Sequence, residues 1–372
     1  MHRVSVVIPV FNGGTYLPNF FQSLVAALPD HAQVVLIDDG STEQVFEMLP
    51  DFPQAKEVIR IRNERNLGYS CAVNRAFGCC TEDFVVQLNT DLVLAPSCIT
   101  SMVELAASRT DAGIIGSKLI FPTTGLVQHI GMAFGLHTKK HVYFQLREDH
   151  PLCRKTRPMQ IVTGATVAMT RQVLDKLGPL DERYFNYDED IDHCMKAASL
   201  GLVNFTCAES IAYHWTSQSG PARFARMREA DALFWSKWHS QIAVDLTGFV
   251  NEAISHFLST SPNSADMHFD AINLCKSPDD KILIDCLENY WPAAMQNIRQ
   301  CGQSNNPSNK YWLPMLLPHW VRDNPRPFIY LVDHFYDLDE NRLWFSDRLA
   351  IVEDEIVVDT TGCVVSVSEM LS

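Results

Sequence analysis

The sequence predicts an α/β fold built on a mostly parallel sheet, followed by a smaller second domain. Three observations predict it. Short β-branched runs alternate with amphipathic stretches through the first half, the residues just past each run are polar or turn-forming, and charge is distributed unevenly about residue 240. A chain of 372 residues is long for one typical domain and short for three. Its 47% hydrophobic and 20% charged residues are the composition of a folded globular protein, which excludes disorder, collagen and coiled coil.

The apolar runs are Val4 to Ile8, Val34 to Ile37, Val58 to Ile61, Phe84 to Leu88 and Gly113 to Leu119. They are near-continuous rather than alternating, as strands covered on both faces are. Helical spacing fills the gaps at Tyr16 to Leu28, Thr42 to Leu49, Tyr69 to Cys79 and Pro96 to Ala107. A β-α-β-α succession implies right-handed crossovers and ligands bound beyond the carboxyl ends of the strands. Those ends carry Pro9-Val10-Phe11-Asn12, Asp38-Asp39-Gly40-Ser41, Asn63-Glu64-Arg65-Asn66-Leu67-Gly68 and Asn89-Thr90-Asp91.

From about 120 to 165 the pattern predicts hairpin-like strands, Leu126 to Phe134 and Gln160 to Thr166, around a polar loop that holds Arg154-Lys155-Thr156-Arg157. A loop of this length is either a substrate lid or a solvated surface loop. Phe224, Met227, Ala230, Phe234 and Trp238 recur at helical spacing. They predict an amphipathic helix from Pro221 to His239, packed on the first domain rather than on a membrane. The expected domains are 1–220, a connecting helix 221–240, and 241–372. In the last, helices fill 241–320, broken by a loop at Gly302 to Ser308, and strands follow at Leu349 to Val352, Glu355 to Asp359 and Cys363 to Val367, an α+β arrangement.

The net charge of −14 argues against nucleic acid, whose phosphates need a basic face. Residues 241–372 carry 19 acidic against 8 basic side chains, which suits a partner-docking or homo-oligomerising surface. Eleven cysteines with no C-x-x-C pair fit reduced thiols better than a disulfide framework. With no signal-peptide pattern and no apolar run of about 18 residues, the expectation is a cytoplasmic protein, attachment at the inner face of the membrane being left open.

No G-x-G-x-x-G follows the first strand, and Gly113-Ile114-Ile115-Gly116-Ser117-Lys118 has the wrong spacing for a phosphate loop. Neither hydride transfer nor ATP hydrolysis is supported. Asp333, Asp337 and Asp339 lack the glycine and terminal glutamate of a calcium loop. Four polar clusters remain, each with two readings. Asp91 is a turn residue or helix cap, or a hard oxygen ligand where Mg²⁺ or Mn²⁺ bridges a diphosphate. Asp39 opens a capped turn, or accepts a hydrogen bond from a nucleobase or ribose. In Tyr184-Phe185-Asn186-Tyr187-Asp188-Glu189-Asp190-Ile191-Asp192 the acids complement a helix dipole, or Asp190, about 100° round the helix from Ile191, is a half-buried general base. His214 is a structural histidine, or a metal ligand or diphosphate donor at the same sheet edge.

In this order the pieces resemble the family 2 glycosyltransferases of GT-A fold. The match runs from Val4 to about Gly220, through Val-Ser-Val-Val-Ile-Pro-Val-Phe-Asn, Ile-Asp-Asp-Gly-Ser-Thr, Asn66-Leu67-Gly68-Tyr69-Ser70 with Asn74, and Leu-Asn-Thr-Asp. Val162-Thr163-Gly164-Ala165 through Gly178-Pro179-Leu180-Asp181 to Glu189-Asp190-Ile191-Asp192 is the longest piece, and it is similar to the bacterial branch that builds surface polysaccharides, labelled rhamnosyltransferase-like. The resemblance implies a nucleotide-sugar donor, a UDP- or dTDP-sugar, and a glycan or lipid-linked acceptor. It implies Asp39 at the nucleobase with Pro9, Asn12, Asn66 and Asn89 lining the nucleotide site, and Asp91 and His214 on Mn²⁺ or Mg²⁺. Asp190 would be the base of an inverting transfer, with Gly164, Glu189 and Trp215 around the acceptor. Asn89 departs from an Asp-x-Asp form, so metal binding rests on Asp91. Two rivals are a sugar-phosphate nucleotidylyltransferase, which would want a basic residue in the loop after the first strand, and a non-catalytic nucleotide-sugar-binding scaffold.

Overall fold

The computed structural model describes residues 2–215, 226–301, 313, 317, 319–352 and 354–372. The expected helix residues 221–225, with Phe224, and the expected loop 302–308 lie outside the described residues. The chain divides into two compact units, 1–132 with 147–242, and 133–146 with 243–372.

In the larger unit β1 (Val4–Val10), β2 (Ala32–Asp38), β3 (Ala55–Arg62) and β4 (Phe84–Leu88) are parallel, in the order β4-β1-β2-β3. β1, β2 and β4 are buried along their whole length, which is why their sequences are unbroken apolar runs. β3 ends this side of the sheet, and its Lys56, Glu57, Arg60 and Arg62 make it a charged edge that resists further pairing. α1 (Leu17–Ala27) buries Leu17, Phe20, Phe21 and Leu24 under this sheet. α2 (Tyr69–Phe77) and α3 (Cys98–Ser108) follow the expected spacing. The stretch expected as a helix at Thr42 to Leu49 forms only a 3₁₀ turn, Val45–Met48, because Pro50 restricts the residue before it and Val45 and Phe46 are poor helix formers.

On the other side of β4 the sheet continues through β11 (Thr166–Thr170), β6 (Ala112–Ile120), β12 (Val203–His214) and β10 (Arg157–Met159), with β5 (Leu92–Leu94) on β12 and β7 (Val127–His129) on β6. β11 runs antiparallel to β4, and β12 parallel to β6. The strand expected at Leu126 to Phe134 is cut at Gly131, whose positive φ of 104° and contact with the Met159 side chain break the extended run. Its second part, β8 (Met132–Phe134), pairs instead with β9 (Lys139–His141). The strand expected at Gln160 to Thr166 starts only at Thr166. α4 (Arg171–Leu177), α5 (Glu189–Ser199) and α6 (Met227–Trp238) complete this unit.

The smaller unit departs from the helices-then-strands order. β13 (Asp270–Asn273) and β14 (Arg299–Gln300) alternate with α7 (Leu246–Thr260), α8 (Asp280–Glu288) and α9 (Pro292–Gln296) in a stretch expected to be helical only. With β15 (Phe328–Val332), β16 (Ile356–Asp359) and β17 (Val364–Ser366) they form a second sheet, parallel except at β17, so the unit is α/β. Leu349 to Val352, expected as a strand, closes the helix Arg342–Leu349. That helix buries Arg348 completely against Glu355, at 2.7 Å. Residues 133–146 belong to this unit through the Asp279 carboxylate, which accepts from Leu136 N–H (2.9 Å) and Thr138 Oγ1 (2.5 Å), and through Asp245, which accepts from Phe134 N–H (2.7 Å). The polar stretch expected as one loop of the first domain therefore contributes to both units.

Gly40, after β2, has φ +76°, and a Cβ there would stand 2.5 Å from the Arg65 carbonyl carbon. Gly40→Ala is expected to lower the unfolding free energy by about 2 kcal/mol, from left-handed strain plus a backbone collision. Urea unfolding checks this, and an unchanged midpoint would contradict it.

Candidate active site

The order of strands switches between the parallel neighbours β1 and β4, since β2 and β3 follow on the far side of β1. A crevice at the carboxyl ends is the place such sheets offer to a ligand. Because β11 is antiparallel, its entry lies at the exit of β4: Thr166 faces Leu88, and the Asn89 N–H donates to the Ala165 carbonyl at 2.8 Å. β5 pairs His214 with Leu92, and the Trp215 N–H donates to the Asp91 carbonyl at 2.9 Å. The register alone thus gathers Asn89, Asp91, Gly164, His214 and Trp215.

The polar residues after β1 and β2 hold one another. Asn12 sits at φ 56°, its N–H donates to Ser41 Oγ (2.7 Å), and its Oδ1 accepts from Thr42 N–H (2.9 Å). Buried Asp39 accepts from Asn63 Nδ2 (2.6 Å) and Leu67 N–H (3.0 Å) on one oxygen and from Gly68 N–H (3.0 Å) on the other. Asn66 Oδ1 accepts from the same Gly68 N–H at 2.9 Å. Asp38, fully buried, pairs with Arg62 at 2.5 Å. Pro9 lies within buried β1, and beyond it the Phe11 ring is exposed.

Asp91 Oδ1 and His214 Nε2 converge at 3.2 Å. The other ring nitrogen, Nδ1, donates to Gln128 Oε1 at 2.6 Å, and Gln128 Nε2 donates to the His214 carbonyl at 3.0 Å. The amide is oriented by that second bond, so Nδ1 carries the hydrogen and Nε2 of a neutral ring presents a lone pair to Asp91. Two acceptors face each other, and a proton or a cation between them removes the conflict. A histidine whose far nitrogen is locked by a buried amide is also how metal-ligating imidazoles are oriented. No group of three or more His, Cys, Asp or Glu among the described residues could hold a metal, so any ion here would take its remaining donors from substrate or water.

Asp190, half-buried in the first turn of α5, accepts from Gly164 N–H at 2.6 Å on Oδ2 and from its neighbour Ile191 N–H at 2.8 Å on Oδ1. The Gly164 carbonyl accepts from Gln87 Nε2 (2.9 Å), which also donates to the Tyr69 hydroxyl (2.8 Å), and that hydroxyl donates to Asn89 Oδ1 (2.7 Å). One chain of hydrogen bonds therefore joins the Asp190 helix to the Asn89-Thr90-Asp91 strand end. Burial, followed by the charges of Glu189, Asp190 and Asp91, pushes the Tyr69 phenol well above its usual value, so it remains a donor. Glu189 is buried beside it.

The motif residues of α2 fasten the segment that leads to α5. Tyr69 N–H donates to the Phe185 carbonyl (2.8 Å), Ser70 Oγ to the Tyr184 carbonyl (2.7 Å), and Asn74 exchanges two bonds with Leu180 (2.9 and 2.8 Å). Asp192, expected among the acids of this cluster, is spent on Trp238 Nε1 (2.8 Å) and Lys237 Nζ (2.5 Å), which dock α6. Gln87, Gln128, Tyr69 and His193 were not anticipated as site residues. The available signal was a buried polar side chain inside an otherwise apolar strand, as in Val127-Gln128-His129.

Residues 5–178 match the family described as "Glycosyl transferase family 2". The "Uncharacterized protein y4gI" of Sinorhizobium fredii is 28% identical over 276 residues, 70% of this chain and 30% of that protein. The "O-antigen biosynthesis protein RfbC" of Myxococcus xanthus is 27% identical over 241 residues, 62% of this chain and 18% of that one. The "N-acetylglucosaminyl-diphospho-decaprenol L-rhamnosyltransferase" of Mycobacterium tuberculosis is 25% identical over 268 residues, 63% of this chain and 84% of that one. The chain spans less than a third of the length of the first two.

Burial, with Lys196 adding to it, pushes the imidazole of His193 down from 6.5 to about 4. The folded state favours its neutral form, so its contribution is complete above pH 6.5 and is lost as pH falls through 4. That contribution is about 3 kcal/mol. In His193→Leu the decline of melting temperature between pH 6.5 and 4 should become shallower by this one group's share, and calorimetry giving superimposable profiles would contradict it.

Proposed function

We propose, because residues 5–178 match the glycosyl transferase family 2 model, that this chain moves a sugar from a nucleoside-diphosphate sugar to a hydroxyl acceptor, with inversion at the anomeric carbon, in polysaccharide or glycan assembly. The observation that carries the proposal is the hydrogen-bonded chain from Asp190 through Gly164, Gln87 and Tyr69 to Asn89, with the Asp91–His214 pair two residues on. A transferase needs a base for the acceptor and a neutralised diphosphate for the leaving group at one sheet edge.

Asp190 takes the proton of the attacking hydroxyl. Its two hydrogen bonds from backbone N–H groups hold the carboxylate in one orientation. Asp91 and His214 would hold Mg²⁺ or Mn²⁺, one carboxylate oxygen and one imidazole nitrogen being a donor set that leaves positions for diphosphate oxygens and water. Such an ion neutralises charge on the departing nucleoside diphosphate. Gln128 holds the His214 ring in place for this. Asn12, Asp39 and Asn66 build the wall of the nucleotide pocket by bonding to one another's loops, and exposed Phe11 offers a face to a base. UDP or dTDP is the proposed leaving group, and Gly164, Glu189 and Trp215 border the acceptor.

The name of the Mycobacterium tuberculosis relative gives that protein a lipid-diphosphate acceptor, and we extend a lipid-linked acceptor to this chain. No helix among the described residues is long and apolar enough to cross a membrane. The proposed meeting with such an acceptor is placed at the cytoplasmic face.

Asp190→Asn should lower kcat by about 10²- to 10⁴-fold while UDP or dTDP affinity stays within about twofold. Wild-type turnover in that variant sinks the base assignment. Release of free UDP or dTDP from the nucleotide-sugar, followed with and without Mn²⁺, separates an enzyme from a scaffold that only binds. Gln128→Leu should weaken Mn²⁺ binding by about 10- to 100-fold, because His214 loses its orienting partner. Equal Mn²⁺ affinity in the variant and the wild type would count against the metal site.

A further inference from the structure

His193 stands three residues beyond Asp190 on α5, so the two side chains are neighbours on the helix surface. It is 4% exposed, and no hydrogen-bond partner among the described residues reaches its Nε2. Both residues line a small pocket of about 10 Å³, together with Tyr69, Gln87, Glu189 and Cys194. The donors around that pocket are already committed. The Tyr69 hydroxyl donates to Asn89, Gln87 Nε2 to Tyr69 and Gly164, and Cys194 Sγ to the Val162 carbonyl at 3.5 Å. The rest of the lining includes Ile114, Val162, Val167 and Leu180, which have no side-chain donor. The imidazole nitrogen that lacks a partner and the carboxylate of Asp190 are both acceptors.

Acceptors alone cannot satisfy one another. A water molecule carries two hydrogens, needs roughly 10–15 Å³ of such space, so that this pocket has room for one at most, and is the usual occupant of a buried site with unsatisfied polar walls. We propose that His193 is a positioning residue for Asp190, holding in this pocket an ordered water that donates one hydrogen to His193 Nε2 and the other to the carboxylate of Asp190. The water fixes the carboxylate from behind, as the Gly164 and Ile191 N–H groups fix it from the sheet and helix sides. Burial keeps His193 neutral and therefore an acceptor through the physiological range.

This deepens the proposed role of Asp190 and rests on it, so the test has two arms. In a crystal structure or by neutron diffraction, the first arm looks for ordered density within about 3 Å of His193 Nε2. Density there is expected, and a dry pocket overturns the proposal whatever the enzyme does. The second compares His193→Leu with His193→Gln, whose amide oxygen can still accept. His193→Leu should lose about tenfold or more in kcat with donor KM within about twofold, while His193→Gln recovers to within about threefold. A merely structural histidine would give the opposite split: Leu in place of an unpaired buried nitrogen would leave or raise the melting temperature at neutral pH with kcat unchanged, and that result overturns the proposal. Should the leucine variant fail to fold, His193→Phe and the density of the wild-type pocket decide it. An Asp190→Asn variant as active as wild type would instead show that the base assignment has failed, leaving the water itself to the first arm.

Discussion

The hydrogen bond from the Gly164 N–H to Asp190 Oδ2, at 2.6 Å, is the contact on which the rest of the site depends. It joins the loop entering β11 to the first turn of α5, elements that meet only because β11 runs antiparallel to β4. The approach is so close that a Cβ on residue 164 would stand 2.8 Å from Asp190 Cβ. Glycine is required there for space, not for its dihedral freedom. From that point the Gly164 carbonyl hands the arrangement on to Gln87, Tyr69 and Asn89, so the helix that carries the proposed base and the strand end that carries Asp91 share one hydrogen-bonded frame. In a water-poor crevice, such a chain is worth more than its separate bonds, because each donor is polarised by the next.

Much of the polarity at this edge is structural. Asn12, Asp38, Asp39, Asn66, Asn74 and Asp192 all spend side-chain atoms on neighbouring loops or helices. This does not make them irrelevant to a ligand. Loops after parallel strands have few backbone partners of their own, and a pocket wall made of them is stiff only where side chains supply the missing bonds. Asp39 shows the pattern: its carboxylate takes three donors from residues 63–68, and those bonds set the shape of the turn that opens onto α2.

The larger unit was legible because β1, β2, β4 and β6 are buried along their whole length and its turns are polar, so periodicity and punctuation agree. Edges of elements moved by a few residues, as at β2 and β3. The smaller unit was less legible for physical reasons. β13 and β14 are four and two residues long, too short for any period to register. Leu349 to Val352 is apolar and reads as a strand, yet the Arg348–Glu355 pair, buried on both sides, ties that stretch to the end of a helix. The 133–146 excursion was invisible because its anchors are Asp245 and Asp279, more than a hundred residues away along the chain. Within the site, Asp91, Asp190, His214 and Gly164 were legible as motif letters, whereas Gln128 and His193 belong to no spacing rule. Their signal is a polar atom in an apolar wall, which appears only once burial is known.

Gln128 and His193 share one logic, and it separates what a carboxylate site lacks from what it possesses. At Asp91 the lock on Nδ1 turns Nε2 of His214 toward a carboxylate, and behind Asp190 a buried His193 with an unpartnered Nε2 lines the same pocket as that carboxylate. In both places acceptors converge, an arrangement that costs free energy in a chain folded for stability alone. The two would resolve differently because their surroundings differ. The Asp91 pair lies at the open carboxyl edge, where a doubly charged ion could exchange and a diphosphate could complete its shell. His193 lies against Ile114, Val162, Val167 and Leu180, where transferring an ion from water would cost far more than transferring a neutral water molecule. Dielectric surroundings, more than donor identity, are therefore what would favour a cation at the first position and the proposed water at the second.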